Sequence, residues 1–156
     1  MFHIVLFEPE IPDNAGNIGR TCVALGAKLW LVRPLGFRLD NRHLQRAGLD
    51  YWEHLDWEAV DDWAALVQQL PDLRPWFFTK TASKLYTEAQ FHANDMLVFG
   101  SESRGLPPAL LDDNHDRCLR IPMHVNARSL NLAVSVGIAA YEAMRQITNG
   151  KSLVRP

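Results

Sequence analysis

Short apolar runs alternate with amphipathic segments along the whole chain. Continuous runs rich in β-branched and aromatic residues are typical of strands that a parallel sheet buries on both faces. Such runs predict strands at Phe2–Phe7, Lys28–Val32, Trp76–Lys80, Met96–Phe99 and Leu119–Ile121. The chain is therefore expected to form an α/β fold, with a parallel sheet flanked by helices.

Helical patterns occupy the segments between these runs. The first is predicted over Ile18–Gly26, with Asn17 as its N-cap and Gly26 as the residue that ends it. The others are predicted at Asn41–Ala47 with Asp40 as its cap, at Asp61–Leu70, and at Ala109–Leu111 after two prolines. The segment from Ala47 to His54 is predicted to be a turn followed by a short extended piece.

The C-terminal helix is predicted to begin at Ser129, whose hydroxyl can accept a hydrogen bond from the first turn. It is apolar on most sides, apart from a stripe formed by Asn131, Ser135 and Glu142. Its small residues, Ala133, Gly137 and Ala140, are spaced so that another helix can approach closely. We therefore expect this helix to be buried on more than one face.

Composition places the chain among globular proteins with one domain, here residues 1–156, with 149–156 as a flexible tail. It is 47% hydrophobic and carries a net charge of −2, so a surface for nucleic acid would have to be a local basic patch. Only two cysteines are present, and no apolar run is long enough to span a membrane, which favours a reduced, cytoplasmic protein. His115 and Cys118 have ligand-like spacing but no second pair, so no metal site is expected.

Polar loops follow three of the predicted strands, and the first two of these loops contain glycine. They lie at Glu8–Asn17, Gly100–Pro108 and Pro122–Ser129, where ligands usually bind in α/β proteins. The first is long for a βα loop and does not match the G-x-G-x-x-G fingerprint, which argues against a dinucleotide site. Ordinary surface turns remain an alternative at this point. Likewise, Arg42 and Arg46 form either a solvated helix face or a patch for RNA phosphates.

Three motifs occur in order along the chain. They are N-x-G-N-x-x-R-T at Asn14–Thr21, G-x-E-x-x-G-L-P at Gly100–Pro107, and I-P-M followed by S-L-N and a small-residue helix at Ile121–Met144. Together they resemble the SPOUT class of RNA methyltransferases, in its 2′-O-ribose branch. The opening E-P-E-I-P-x-N-x-G-N-I and the later A-G-L-D-Y are similar to the minimal members that modify the wobble nucleotide of tRNA.

The resemblance implies a SPOUT fold whose C-terminal part forms a trefoil knot, S-adenosylmethionine as cofactor, a tRNA anticodon stem-loop as substrate, and a homodimer. The cofactor contacts it implies, mainly through backbone groups, are at Phe77, Phe78, Thr79, Gly100, Glu102, Gly105, Ile121, Met123, Ser129 and Leu130. The catalytic residues it implies are Arg20, Asn17, Glu102, Ser129 and Asn131, with Glu102 and Asn17 holding Arg20. Candidates for RNA contact are Arg42, Arg46, Lys80, Lys84, Tyr141 and Arg145.

Other functions remain open from the sequence. The same methyl transfer could act on another position of tRNA or ribosomal RNA. The chain could also be a catalytically silent RNA-binding module of the same fold, although an intact Arg20, Glu102 and Asn131 argue against this. A flavodoxin-type regulatory domain would need a phosphate-binding loop, which the sequence lacks.

Overall fold

One parallel sheet organises the protein. The computed structural model describes residues 2–39, 50–72 and 74–150. Within these ranges the sheet has six strands in the order β3-β2-β1-β5-β4-β6. The strands are β1 His3–Phe7, β2 Lys28–Val32, β3 Trp57–Val60, β4 Arg74–Phe78, β5 Asp95–Phe99 and β6 Cys118–Leu119.

Both faces of the sheet are covered. The helices are α1 Pro12–Leu25, α2 Trp63–Gln69, α3 Pro108–Asp112 and α4 Leu132–Ile147. On one face α1 and α4 bury Ile4, Leu6 and Leu97, and the free thiol of Cys22 belongs to this core. On the other face α2 and α3 cover Val5, Phe77 and Val98, together with the free thiol of Cys118. The alternation of side chains along each strand explains this division into two cores.

Helix α1 begins earlier than the sequence predicts. It starts at Pro12, and Ile11 occupies the N-cap position, so the predicted N-cap role of Asn17 is wrong. Proline suits the first helical turn because its missing N–H has no partner there in any case. The connection from β1 is therefore Glu8–Ile11, and the long polar loop expected after β1 is largely helical.

Helix α4 begins later than predicted. Its N-cap is Asn131, whose Oδ1 accepts hydrogen bonds from the N–H groups of Ala133 at 2.8 Å and Val134 at 3.2 Å. The predicted N-cap role of Ser129 is therefore wrong, and Ser129 lies in the loop before the helix. An asparagine amide can cap a helix with its oxygen while its nitrogen donates elsewhere, which a serine hydroxyl does less readily.

Several other boundaries differ from the predictions. Strand β3 was missed, β4 ends at Phe78 and β6 at Leu119, and helix α2 begins at Trp63 because Asp62 caps it. The piece predicted as extended before His54 is a 3-10 helix, Asp50–His54. The helix predicted at Asn41–Ala47 lies outside the described residues.

The segment from β6 to the end of α4 contacts the β4–β5 connection near both ends of that segment. Arg120 pairs with Leu85 as an isolated parallel bridge, and the Gln146 side chain accepts a hydrogen bond from Phe91 N at 2.9 Å. Gln146 is itself held by Glu142 at 2.8 Å. These contacts bring the last strand and helix against the connection between β4 and β5. The trefoil knot itself stays a prediction.

Candidate active site

The carboxyl ends of β1, β5 and β4 lie side by side, so the loops that follow them meet at one edge of the sheet. The loop after β5 folds back on itself: Gly105, with φ 70°, donates its N–H to Ser101 O at 2.9 Å. A Cβ at Gly100 would lie 2.0 Å from the carbonyl carbon of Gly105. Glycine at 100 is therefore required by backbone packing within the loop.

Glu102 in this loop holds the connection that follows β1. Its Oε2 accepts the N–H of Glu10 at 2.8 Å, and its Oε1 accepts the N–H of Ile11 at 3.2 Å. Oε1 also accepts Asn14 Nδ2 at 2.9 Å. A carboxylate at the start of a helix is favoured by the partial positive charge there. These contacts also explain why α1 begins at Pro12.

Asn14 connects this pair of loops to the third one. Its side chain is 6% exposed, and its Oδ1 accepts Asn131 Nδ2 at 2.9 Å. The network Glu102–Asn14–Asn131 therefore joins residues from all three sequence motifs. The structure brings the predicted residues Glu102 and Asn131 together through a residue that the predicted site lacked. The signal was available, because Asn14 is the first residue of the first motif.

Two further residue pairs hold the loops after β1 and β5 together. Glu10 accepts hydrogen bonds from the Ser103 N–H at 3.0 Å and the Ser103 hydroxyl at 2.6 Å. Arg104 forms an ion pair with Glu8 at 2.7 Å. Sequence reasoning also missed these residues, whose pairing depends on loops that are distant in sequence. The two loops form one unit.

Asn17 and Arg20 lie on the exposed surface of α1. Arg20 is six residues beyond Asn14, which places it roughly 9 Å further along the helix and about 120° around it. Glu102 accepts hydrogen bonds from Asn14, Glu10 and Ile11, and its role in holding Arg20 stays a prediction. Asn14 is buried and Arg20 is exposed, so the two residues lie on different sides of α1.

The predicted cofactor contacts surround the ends of β4 and β6. Phe78 stacks on Phe99 with ring centroids 4.6 Å apart, and Thr79 donates its N–H to Leu119 O at 2.9 Å. Phe77 is fully buried on the opposite face against Trp63, so only its backbone can face a ligand at this edge. Ile121, Met123 and Leu130 are half-buried, whereas Gly105 and Ser129 are exposed.

An open cleft of about 480 Å³ lies beside these loops. Its lining residues are Lys80, Thr81, Arg120, Ile121, Met123, His124, Val125, Ala127 and Arg128. It therefore includes two predicted cofactor residues, Ile121 and Met123, and one predicted RNA residue, Lys80. Its volume lies within the range of small-molecule sites.

The remaining RNA candidates are dispersed. Tyr141 is 57% exposed on α4 and Arg145 pairs with Glu142, which lowers the pKa of that carboxyl below its usual value through hydrogen bonds from the guanidinium. Lys84 lies over the ring of Trp76. Arg42 and Arg46 lie outside the described residues.

Neither cysteine has the properties of a nucleophile. Burial raises the pKa of the Cys22 thiol to about 12 and also raises that of Cys118. Thiols of this kind stay protonated and unreactive at neutral pH. Among the residues with assigned positions, no group of three or more His, Cys, Asp and Glu side chains could hold a metal ion. No helix in the same ranges is long and apolar enough to cross a membrane.

Comparison with known proteins gives consistent matches over almost the whole chain. The SpoU rRNA Methylase family model matches residues 1–141. The tRNA (cytidine(34)-2'-O)-methyltransferase of Saccharophagus degradans is 46% identical over 151 residues, which cover 94% of this chain and 96% of that protein.

Solved structures of RNA methyltransferases are also similar to this chain. One described under "Structural insights into the 2-OH methylation of C/U34 on tRNA" superposes with a TM-score of 0.90 at 51% identity, covering 96% of this chain and 97% of that one. An AdoMet-bound rRNA methyltransferase from Sinorhizobium meliloti superposes with a TM-score of 0.81 at 25% identity, covering 92% of this chain and 56% of that one.

Proposed function

Because the chain belongs to the SpoU rRNA methylase family, we propose that it transfers a methyl group from S-adenosylmethionine to the ribose 2′-hydroxyl of the wobble nucleotide of tRNA. The target is nucleotide 34, a cytidine or modified uridine, as the names of relatives that match over nearly their full length suggest. The observation that carries the proposal is the Glu102–Asn14–Asn131 network, which assembles the three family motifs at one edge of the sheet.

The residues at this edge suit S-adenosylmethionine. When bound, the cofactor supplies a methyl group already activated by a sulfonium. We propose that the backbone of Gly100, Ile121, Ser129 and Leu130 holds it, with Phe78 and Thr79 beside it. Adenine needs an apolar slot and backbone hydrogen bonds more than distinctive side chains. The half-buried Ile121 and Leu130 provide such a surface, and this chemistry requires no metal.

Glu102 acts as a positioning residue in this proposal. Its carboxylate already accepts hydrogen bonds from Glu10, Ile11 and Asn14. These hydrogen bonds fix the loops after β1 and β5 relative to α4, and the proton from the ribose hydroxyl goes to another group or to water.

Arg20 acts on the RNA. A guanidinium is permanently protonated and cannot accept a proton, but it can orient a ribose or phosphate and stabilise a developing alkoxide. Its place on the exposed face of α1, away from Asn14, allows it to reach a substrate held outside its own subunit. Asn17, one turn before it, lies on the same side of the helix.

We further propose that the working unit is a homodimer built on α4. One face of this helix carries apolar residues that solvent reaches: Val134 is 49% and Tyr141 57% exposed. Between them, a Cβ added at Gly137 would meet nothing within 4 Å in its own subunit. A stripe with this spacing is suited to another helix. Arg20 of one subunit would then face the cofactor of the other.

A charged side chain at Gly137 tests the dimer. Gly137→Glu is expected to give a folded monomer without activity, because a Cβ at this position would meet nothing within 4 Å in its own subunit. Val67→Glu, at a 42%-exposed position of α2, is the matched control and should remain dimeric and active. Sedimentation velocity gives the assembly state; a Gly137→Glu protein that stays dimeric, or a monomer with full activity, would contradict the proposal.

RNA contact is proposed for Lys80, and for Arg42 and Arg46 outside the described residues. Tyr141, which was also a candidate for RNA contact, is assigned instead to the dimer face of α4. We also propose that residues 1–156 form a single SPOUT domain, and that it acts in the cytoplasm, where its tRNA substrate is found.

The decisive experiment locates the methyl group. Purified protein is incubated with labelled S-adenosylmethionine and total tRNA, and the product is digested with nuclease and analysed by mass spectrometry. The expected product carries one 2′-O-methyl group at nucleotide 34. A methyl group at another position, or on ribosomal RNA alone, would overturn the assignment.

A further inference from the structure

The open cleft beside β6 carries more positive charge than the proposed cofactor needs. Lys80, Arg120 and Arg128 line it with His124, and none of its lining residues is acidic. S-adenosylmethionine bears a net positive charge, because its sulfonium and ammonium outweigh one carboxylate. Three cations around it would repel it unless an anion were also present.

These three cations also differ from others in the described part of the chain. Lys28, Arg33, Arg74, Arg104 and Arg145 each contact a carboxylate. Within the same ranges, no carboxylate lies within ion-pair distance of Lys80, Arg120 or Arg128. The chain has more carboxylates than Lys and Arg side chains. Even so, these three cations lie together in one cleft without a carboxylate partner. Such a patch attracts a polyanion.

The position of the cleft suits a nucleic-acid strand. Its inner part, Ile121 and Met123, coincides with proposed cofactor contacts, while Lys80 and Arg128 are exposed at its rim. Val125, 89% exposed, gives the rim an apolar tip on which a base can pack. A ribose 2′-hydroxyl is adjacent to the 3′-phosphate of the same nucleotide. A strand that brings this hydroxyl to the methyl group therefore brings phosphates to the rim.

We infer that the cleft formed by Lys80, Arg120, His124 and Arg128 is a binding groove for the phosphates next to the target nucleotide of a single-stranded RNA loop. The inference rests on the proposed function, and it adds where the RNA backbone lies. Arg120 is central to it, because its backbone is fixed by hydrogen bonds with Lys84 and Tyr86. The half-buried Arg120 and exposed Arg128 approach the groove from adjoining segments.

Neutral substitutions test the groove. Arg120→Gln and Arg128→Gln should each weaken binding of an anticodon stem-loop by ~5- to 10-fold, as expected when one charge-assisted hydrogen bond to a phosphate is removed. The slope of log affinity against log salt should become shallower by roughly 0.7 for each phosphate that is no longer neutralised. Lys28→Gln removes the same charge at the opposite edge of the sheet and should change neither quantity.

Two measurements separate the possible outcomes. Calorimetry with S-adenosylhomocysteine should give wild-type affinity for both arginine variants. If cofactor affinity fell and RNA affinity did not, the cations would serve the cofactor carboxylate, and the inference would be wrong. RNA affinity equal to that of Lys28→Gln would also overturn it.

The proposed function fails by a different result. If the wild-type protein methylates a nucleotide other than 34, the assignment is wrong, yet the variants still test the groove with the RNA that is methylated. If the wild-type protein binds no tRNA or ribosomal RNA, both the function and the groove are wrong.

Discussion

The two ends of the same strands carry polar groups arranged in different ways. At the amino ends, Lys28 forms ion pairs with Asp56 and Glu58. Asp95 forms an ion pair with Arg74 and accepts a hydrogen bond from the Trp76 indole. These partners lie on neighbouring strands or next to them.

At the carboxyl ends, the carboxylate of Glu102 accepts backbone and amide hydrogens from a segment about ninety residues away in sequence, and Asn14 extends the network to Asn131. Beside this network, Lys80, Arg120 and Arg128 line a cleft without acidic residues. The amino edge therefore holds the sheet together, whereas the carboxyl edge assembles distant loops and keeps charge available for a ligand.

The largest expected effect is at Gly100. Gly100→Ala should lower the affinity for S-adenosylmethionine by ~100-fold or more, because its Cβ would overlap the Gly105 backbone and displace the loop. Gly26→Ala, near the amino edge, is the control: its φ of 64° makes the change cost about 1 kcal/mol of stability, with no loss of affinity. Calorimetry and thermal unfolding measure both. Normal cofactor affinity in Gly100→Ala would move the pocket elsewhere.

Arg20→Ala should reduce turnover by ~100- to 1,000-fold, as expected for the loss of a group that stabilises a developing oxyanion. Cofactor affinity should remain nearly normal, because Arg20 is proposed to act at the ribose. Arg20→Lys should recover little, since an ammonium cannot form the bidentate contacts of a guanidinium. Arg33→Ala, which removes a cation paired with the exposed Asp61, is the control. Near-normal turnover of Arg20→Ala would exclude Arg20 from the mechanism.

A carboxylate-to-amide change at each edge compares them directly. Asp95 is 1% exposed, so Asp95→Asn should cost about 2 kcal/mol of unfolding free energy and leave cofactor affinity unchanged. Glu102→Gln should cost less stability but reduce turnover more, because an amide nitrogen would face the N–H groups that Glu102 now accepts. Denaturant unfolding and single-turnover assays give the two quantities. The reverse ranking would refute the division of roles between the edges.

The smallest expected effect is a pH dependence of stability from the amino edge. Burial lowers the pKa of His3 below 6.5, and Trp30 donates its indole N–H to Nδ1 at 2.9 Å. The unfolded chain then binds a proton at a higher pH than the folded one. The contribution of neutral His3 to the free energy of unfolding is therefore complete above pH 6.5, and it is lost as the pH falls through the pKa of His3 in the folded protein. Between pH 7.5 and pH 5.5, the free energy of unfolding should decrease less in His3→Gln than in the wild-type protein. An equal decrease would assign the effect to other groups.

The sequence predicted the strands that form the centre of the sheet. Continuous apolar runs such as Ile4–Leu6 and Leu97–Phe99 are typical of strands that are buried on both faces. It also predicted Glu102 and Asn131 as members of one site. It missed β3, Trp57–Val60, because this short edge strand carries a glutamate and lacks such a run.

The boundaries next to the site were the least predictable. Residues Asn14 to Asn17 have turn composition, but they are helical because Glu102 and Asn131 satisfy the polar groups at the start of α1. The N-cap of α4 moved from Ser129 to Asn131 for the same reason, since Asn14 holds the amide that caps the helix. Each difference arises from a tertiary hydrogen bond between segments that a local pattern cannot relate.

The placement of the two cysteines has a practical consequence. Cys22 lies in the core covered by α1 and α4, and Cys118 in the core covered by α2 and α3. Each face of the sheet thus contains one buried thiol that can react with a labelling reagent only when that face opens. Rates of thiol labelling, resolved by mass spectrometry for each cysteine, would therefore report separately how often the two halves of the sandwich open, without any added probe.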